Sequence, residues 1–193
     1  MNLINSTNDK NELNNAFELL TSKNKILNWK NYLIIANRLE TKKNQELIAR
    51  AKKATKLFPY DNDIKNLYIQ ISIGNESFNK AITFSKKGLE YFNEGDYSNA
   101  SVKFEQAIEK NPLDYAYYEN AATSNYMIGN FEKALDQINV VINDFNPLNG
   151  KCEYIKALIF IRMGDPVGAC PLLRISYDSG FGQAKAVIDQ YCK

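Results

Sequence analysis

One short turn, centred on glycine, returns along this chain at a nearly fixed interval. Gly95-Asp96-Tyr97 is followed thirty-four residues later by Gly129-Asn130-Phe131, and thirty-five residues after that by Gly164-Asp165-Pro166. The flanks repeat as well. Gly88 and Tyr91 precede the first turn, Ala121 and Ala122 the second, and Ala157 and Phe160 the third. Ala100, Phe104 and Ala107 follow the first; Ala134, Ile138 and Val141 the second; Ala169 and Leu173 the third. A period of this length predicts paired helices, each pair burying its face on the next. Small residues let the two helices of a pair approach closely and large ones fill the gaps between them. Pro112 and Pro147 close two of the units, because proline cannot extend the preceding helix and its fixed φ suits the start of the next.

The upstream third is rich in Asn and Lys yet keeps helical spacing. Leu13, Phe17 and Leu20, then Tyr32, Ile35, Ala36 and Leu39, fall at intervals of three and four. Two further helices are predicted from about Glu46 to Leu57, ended by Pro59, and from about Ile64 to Ile73, ended by Gly74 and Asn75. No Gly/Ser-rich or Pro-rich linker interrupts the chain, so residues 1–193 are expected to form a single stack. Within it, residues 1–80 are degenerate helical repeats, 81–177 three clear ones, and 182–192 a final helix with Ala186, Val187 and Tyr191 facing inward.

Composition narrows the function. There is no histidine, the side chain most used for proton transfer and transition-metal binding, and Cys152, Cys170 and Cys192 are too widely spaced for a metal or Cys-x-x-Cys motif. Neither a metal nor a cofactor is expected. A net charge of +2 supplies no general attraction to nucleic acid. The longest apolar run, Ala157 to Ile161, is far too short to span a bilayer. With a polar start without the features of a secretory signal, the chain as written is expected in the cytoplasm. No pair of carboxylates is singled out by a motif, so the chain is expected not to be an enzyme.

These residues resemble the tetratricopeptide repeat, above all "FNEGDYSNASVKFEQAIEKNP", residues 92 to 112. A fourth, fainter copy from about Trp29 to Asp61 matches through Ala36, Ala54 and Pro59. Departures are Lys87, where the family usually has an apolar residue, Asn125, where it has a large aromatic, and a second repeat that closes one residue late. The resemblance implies an all-α fold, a right-handed α-solenoid of helix-turn-helix repeats with a C-terminal capping helix. It also implies a non-catalytic module whose first helices line a concave groove for a protein or peptide partner.

Carried over by position, the groove residues are Ser85, Leu89 and Phe92, then Glu119, Asn120, Thr123 and Tyr126, then Lys151, Tyr154, Leu158 and Arg162. Tyr126 and Tyr154 could equally serve only to pack one repeat on the next. A subset of the family grips a partner's terminal carboxylate with lysine and asparagine side chains. Asn120 and Lys151 suit that set, but Ser85 and Leu89 stand where a lysine and an asparagine are needed, so chaperone-tail binding is not expected. Cys170 and Cys192 flank the Gly180 turn at similar distances and could pair if the last two helices are antiparallel; two buried thiols in a reducing cytoplasm are the alternative. Residues 150–192 also resemble the ends of bacterial O-antigen ligase or polymerase proteins that carry periplasmic repeats of this family, which would make the chain a periplasmic accessory tail.

Overall fold

The computed structural model describes Phe17, residues 25–40 and residues 43–192. In chain order the helices are α1 (Ile26–Leu39), α2 (Gln45–Leu57), α3 (Asn62–Ile73), α4 (Asn75–Asn93), α5 (Tyr97–Lys110), α6 (Tyr115–Met127), α7 (Phe131–Val140), α8 (Lys151–Arg162), α9 (Pro166–Asp178) and α10 (Ala184–Tyr191). No strand occurs among the described residues. Of the expected helix around Leu13, Phe17 and Leu20, only Phe17 is described; Leu13 and Leu20 lie outside the described residues.

Short Asx side chains set where many of these helices begin, by accepting backbone N–H groups that have no partner inside the helix. Asn44 caps α2 through the N–H groups of Glu46 and Leu47, and Asp61 caps α3 through that of Ile64. Asp96, Asp114 and Asp165 do the same for α5, α6 and α9. The ends are equally local: α2 stops at Leu57 because Phe58, which precedes Pro59, is held out of the helical region (φ −130°, ψ 65°).

The chain falls into two compact units, Met1–Asn79 and Lys80–Lys193. The division lies inside the span of α4 rather than at a loop, which is why no linker composition marks it. In the first unit Trp29, Tyr32, Leu33 and Ala36 of α1 pack with Leu47, Ala51 and Ala54 of α2 and with Ile64, Leu67 and Ile71 of α3. The Arg50 guanidinium lies 4.1 Å from the centre of the Phe17 ring. Lys30 reaches from α1 to Asp61 (2.8 Å) and Asp63 (2.7 Å) at the start of α3. Its hydrogen bond to Asp61 holds that carboxyl below its ordinary range.

The second unit contains three helical hairpins, α4/α5, α6/α7 and α8/α9, followed by α10. The hairpin turns carry Gly95, Gly129 and Gly164 at φ 81°, 83° and 87°, the left-handed region where a side chain is strained. Ala100, Ala134 and Ala169 recur on the second helices, all with no exposed surface. Opposite them the volumes trade off. Gly88 faces Phe104, and a Cβ on Gly88 would lie 2.7 Å from that ring. The corresponding pairs are Ala122 with Ile138 and Ala157 with Leu173, all fully buried.

The second repeat closes one residue late, at Pro147, and the extra residue is absorbed by a π-helical turn, Val141–Phe145. There the Asn146 N–H donates to the Val141 carbonyl at 2.9 Å, five residues back, and Asn146 ends the turn at φ 46°. The final helix corrects one expectation. Ala184, Val187 and Ile188 face the core, while Ala186 and Tyr191 are exposed. By helical spacing Ala184, Val187 and Ile188 share the inner face and Ala186 falls on the outer one; Tyr191 is in line with the inner face but, as the last residue of the helix, is exposed.

Candidate peptide-binding groove

Helices α6 and α8 carry the centre of the expected groove, and their periodicity decides which side chains meet. On α6, Glu119, Thr123 and Tyr126 are spaced by four and three; on α8, Lys151, Tyr154 and Leu158 are spaced by three and four. Thr123, Tyr126, Lys151, Tyr154 and Leu158 come together at a cleft of about 280 Å³, joined by Met127, Ile155, Phe181 and Gln183. Its lining is mostly apolar side chain. The Phe181 ring, from the turn before α10, lies 5.0 Å from that of Tyr154.

A buried carboxylate underlies one end. Glu119 is only 4% exposed, and its oxygens are engaged by the Lys151 ammonium at 2.6 Å and by the Cys152 thiol at 3.2 Å. Burial, and then the bond to Glu119, push the Cys152 thiol far above its ordinary range, so it stays protonated. Glu119 therefore braces α6 against α8 and presents no free acceptor to a ligand. At the other end, the Arg162 guanidinium lies 5.5 Å from the Tyr126 ring and 5.4 Å from that of Phe131, fixing its charge beside the aromatic wall. Burial raises the Tyr154 hydroxyl above its ordinary range, leaving it a hydrogen-bond donor at neutral pH.

The remaining positions lie apart. Leu89 is 44% exposed on α4, Ser85 is half-buried on the same helix, and Phe92 packs edge-on against Tyr97 at 5.1 Å; none of the three lines the cleft. Asn120 is also outside its lining, and Arg162 touches it only through Tyr126. Sequence reasoning missed Met127, Ile155, Phe181 and Gln183. Phe181 carries a signal, an aromatic residue between two glycines, but a turn sequence does not encode which helix its side chain meets.

Cys170 on α9 and Cys192, just past α10, are joined by a disulfide, with Cα atoms 5.6 Å apart. Among the described residues no group of three or more Cys, Asp or Glu side chains is placed to hold a metal ion, and no helix is long and apolar enough to cross a membrane.

No protein-family model matches the chain. Over 63 residues it is 32% identical to human tetratricopeptide repeat protein 4, a match covering 31% of this chain and 16% of that protein. Over 101 residues it is 30% identical to human DnaJ homolog subfamily C member 7, covering 49% of this chain and 19% of that one. The chain thus spans less than a fifth of the length of these curated relatives. Among solved structures, the TPR2AB domain:pHSP90 complex of yeast Sti1 matches with a TM-score of 0.53 and 17% identity, over 93% of this chain and 75% of that one. That likeness shows the fold. Glycine-turn hairpins of thirty-four to thirty-five residues, small-against-large packing within each hairpin, the two human relatives and the yeast fold agree, and the chain is similar in sequence and in fold to tetratricopeptide-repeat proteins.

Proposed function

We propose that this chain is a non-catalytic interaction module, and that the cleft between α6 and α8 receives an apolar side chain from an extended segment of a partner protein. One observation carries the reading: Thr123, Tyr126, Lys151, Tyr154 and Leu158, separated by up to thirty-five residues in sequence, line a single concave, largely apolar site. Such a site, rimmed by a few polar groups, is the usual form of a peptide anchor pocket. The Sti1 structure supports a protein-segment ligand, since it is a complex with pHSP90. The grip proposed here is of another kind. Lys151 is already paired with Glu119, and Ser85 and Leu89 offer no cation, so the cleft selects by apolar shape and not by clamping a carboxylate.

On compartment, the disulfide fits an oxidising one. The O-antigen ligase or polymerase reading of residues 150–192 gains no support from the human relatives or from the Sti1 fold.

The test is partner capture by the full chain carrying Tyr126→Ala together with Tyr154→Ala. Affinity for the captured partner should fall at least about thirtyfold, the roughly 2 kcal/mol of a binding hot spot, with the helical circular dichroism retained. Equal capture by this folded variant would remove the cleft as the site.

A further inference from the structure

The C-terminal cap does more than end the stack. Phe181 and Gln183, from the turn before α10, form one wall of the cleft, and the Phe181 ring packs against that of Tyr154 at a tilt, with centroids 5.0 Å apart. Helix α10 has only eight residues, a length at which an isolated helix is marginal in water. Two things hold it to α9. One is a small apolar face, Ala184, Val187 and Ile188, packed near Leu172 and Leu173. The other is the Cys170–Cys192 bond, whose closed segment of sequence separation 22 contains the whole turn and all of α10.

We propose that the cap is a releasable wall of the cleft and that the Cys170–Cys192 bond is its latch, so that thiol–disulfide exchange sets how tightly the cleft holds a partner segment. This rests on the groove reading above. The exchange needs a dithiol reductant. Its thiolate attacks the Cys192 sulfur, the S–S bond breaks, and the electron pair leaves on Cys170, which takes a proton from water. The second thiolate of the reductant then attacks the mixed disulfide and frees Cys192, which is protonated in turn. The reductant gives up two electrons and becomes a disulfide; the chain gains two electrons and two protons. Cys170 and Cys192 are both half-buried, within reach of such a reagent. Cys152 does not compete, being fully buried with its thiol bonded to Glu119. With the latch open, α10 is held to α9 only by its short apolar face, and Phe181 keeps its backbone bond to the Ser176 carbonyl and its ring contact with Tyr154, so the cleft loses a covalently fixed wall.

The experiment compares the full chain oxidised and after dithiothreitol, by amide hydrogen exchange. A parallel arm measures saturation transfer to N-acetylphenylalaninamide, a stand-in for an aromatic side chain of a partner. Reduction should speed exchange in residues 181–191 by at least about tenfold while residues 97–140 stay unchanged, and should lower the transfer. Cys170→Ser with Cys192→Ser should match the reduced chain and ignore dithiothreitol. Unchanged exchange in 181–191, with two freed thiols counted by mass, would overturn the latch and leave the groove reading standing. Released exchange with no transfer in either state would instead overturn the groove reading, and the proposal with it.

Discussion

The first and third hairpins of the second unit solve one packing problem with an aromatic ring, and the middle hairpin solves it with an amide. At corresponding positions stand Tyr91, Asn125 and Phe160. Tyr91 packs against the cluster of Ala100, Phe104 and Ala121, and Phe160 against that of Ala157, Ala169 and Leu173. Asn125 is 1% exposed and packs by hydrogen bonds instead. Its amide donates to the Ala121 carbonyl (3.1 Å) and to Gln137 (3.0 Å), with the Glu105 carboxylate at 3.4 Å. Glu105 in turn accepts from Ser101 and pairs with Lys133 at 2.7 Å. An aromatic position in a repeat can thus be refilled by a polar cluster, provided neighbouring helices supply the partners. Each member then depends on the others, because a buried polar group without a partner costs more than its bond contributes.

The packing half of this contrast gives the largest expected effect. Gly88→Ala drives a Cβ into the Phe104 ring and should destabilise the chain by about 2 to 3 kcal/mol in a denaturant titration. Adding Phe104→Ile, the pairing the middle hairpin uses with Ala122 and Ile138, should recover part of that loss; no recovery would mean that the hairpins do not share a volume rule. The polar half comes next. Asn125→Ala leaves Gln137 and Glu105 short of a partner and should cost about 2 kcal/mol, whereas loss of a mere surface amide would cost almost nothing.

Glu105→Gln is the smallest, about 1 kcal/mol at neutral pH, since Lys133 is half-exposed. Burial opposes the charge on Glu105, but Lys133, Asn125 and Ser101 outweigh it and hold the carboxyl below its ordinary range. Its contribution is present above the unfolded carboxyl value, about 4.3, and is lost as the pH falls through the lower folded value. Acid unfolding of wild type and Glu105→Gln should therefore converge at low pH, and parallel curves would remove the carboxylate from the account.

The hairpins were legible because their causes are local or periodic. Turn glycines, capping Asp residues and small residues at fixed offsets announce themselves in any one repeat, and α2 and α3 begin within two residues of the expected positions. The polar cluster was not legible, because Asn125 reads as a defect until Glu105 and Gln137, on different helices, are seen beside it. The groove was half legible. Position within the resembled repeat named Thr123, Tyr126, Lys151, Tyr154 and Leu158, which line the cleft, but Phe181 reaches it through the approach of a turn that repeat position does not encode, and Glu119 is engaged by Lys151 and Cys152.

The most direct test of the central claim is site-specific photo-crosslinking of the full chain to its captured partner. With p-benzoylphenylalanine in place of Tyr154, in the cleft, the partner should be crosslinked. With it in place of Val102, 49% exposed on α5 and outside the cleft, the partner should not be. Crosslinking from Val102 and none from Tyr154 would contradict the account and move the binding surface to the second helices of the hairpins.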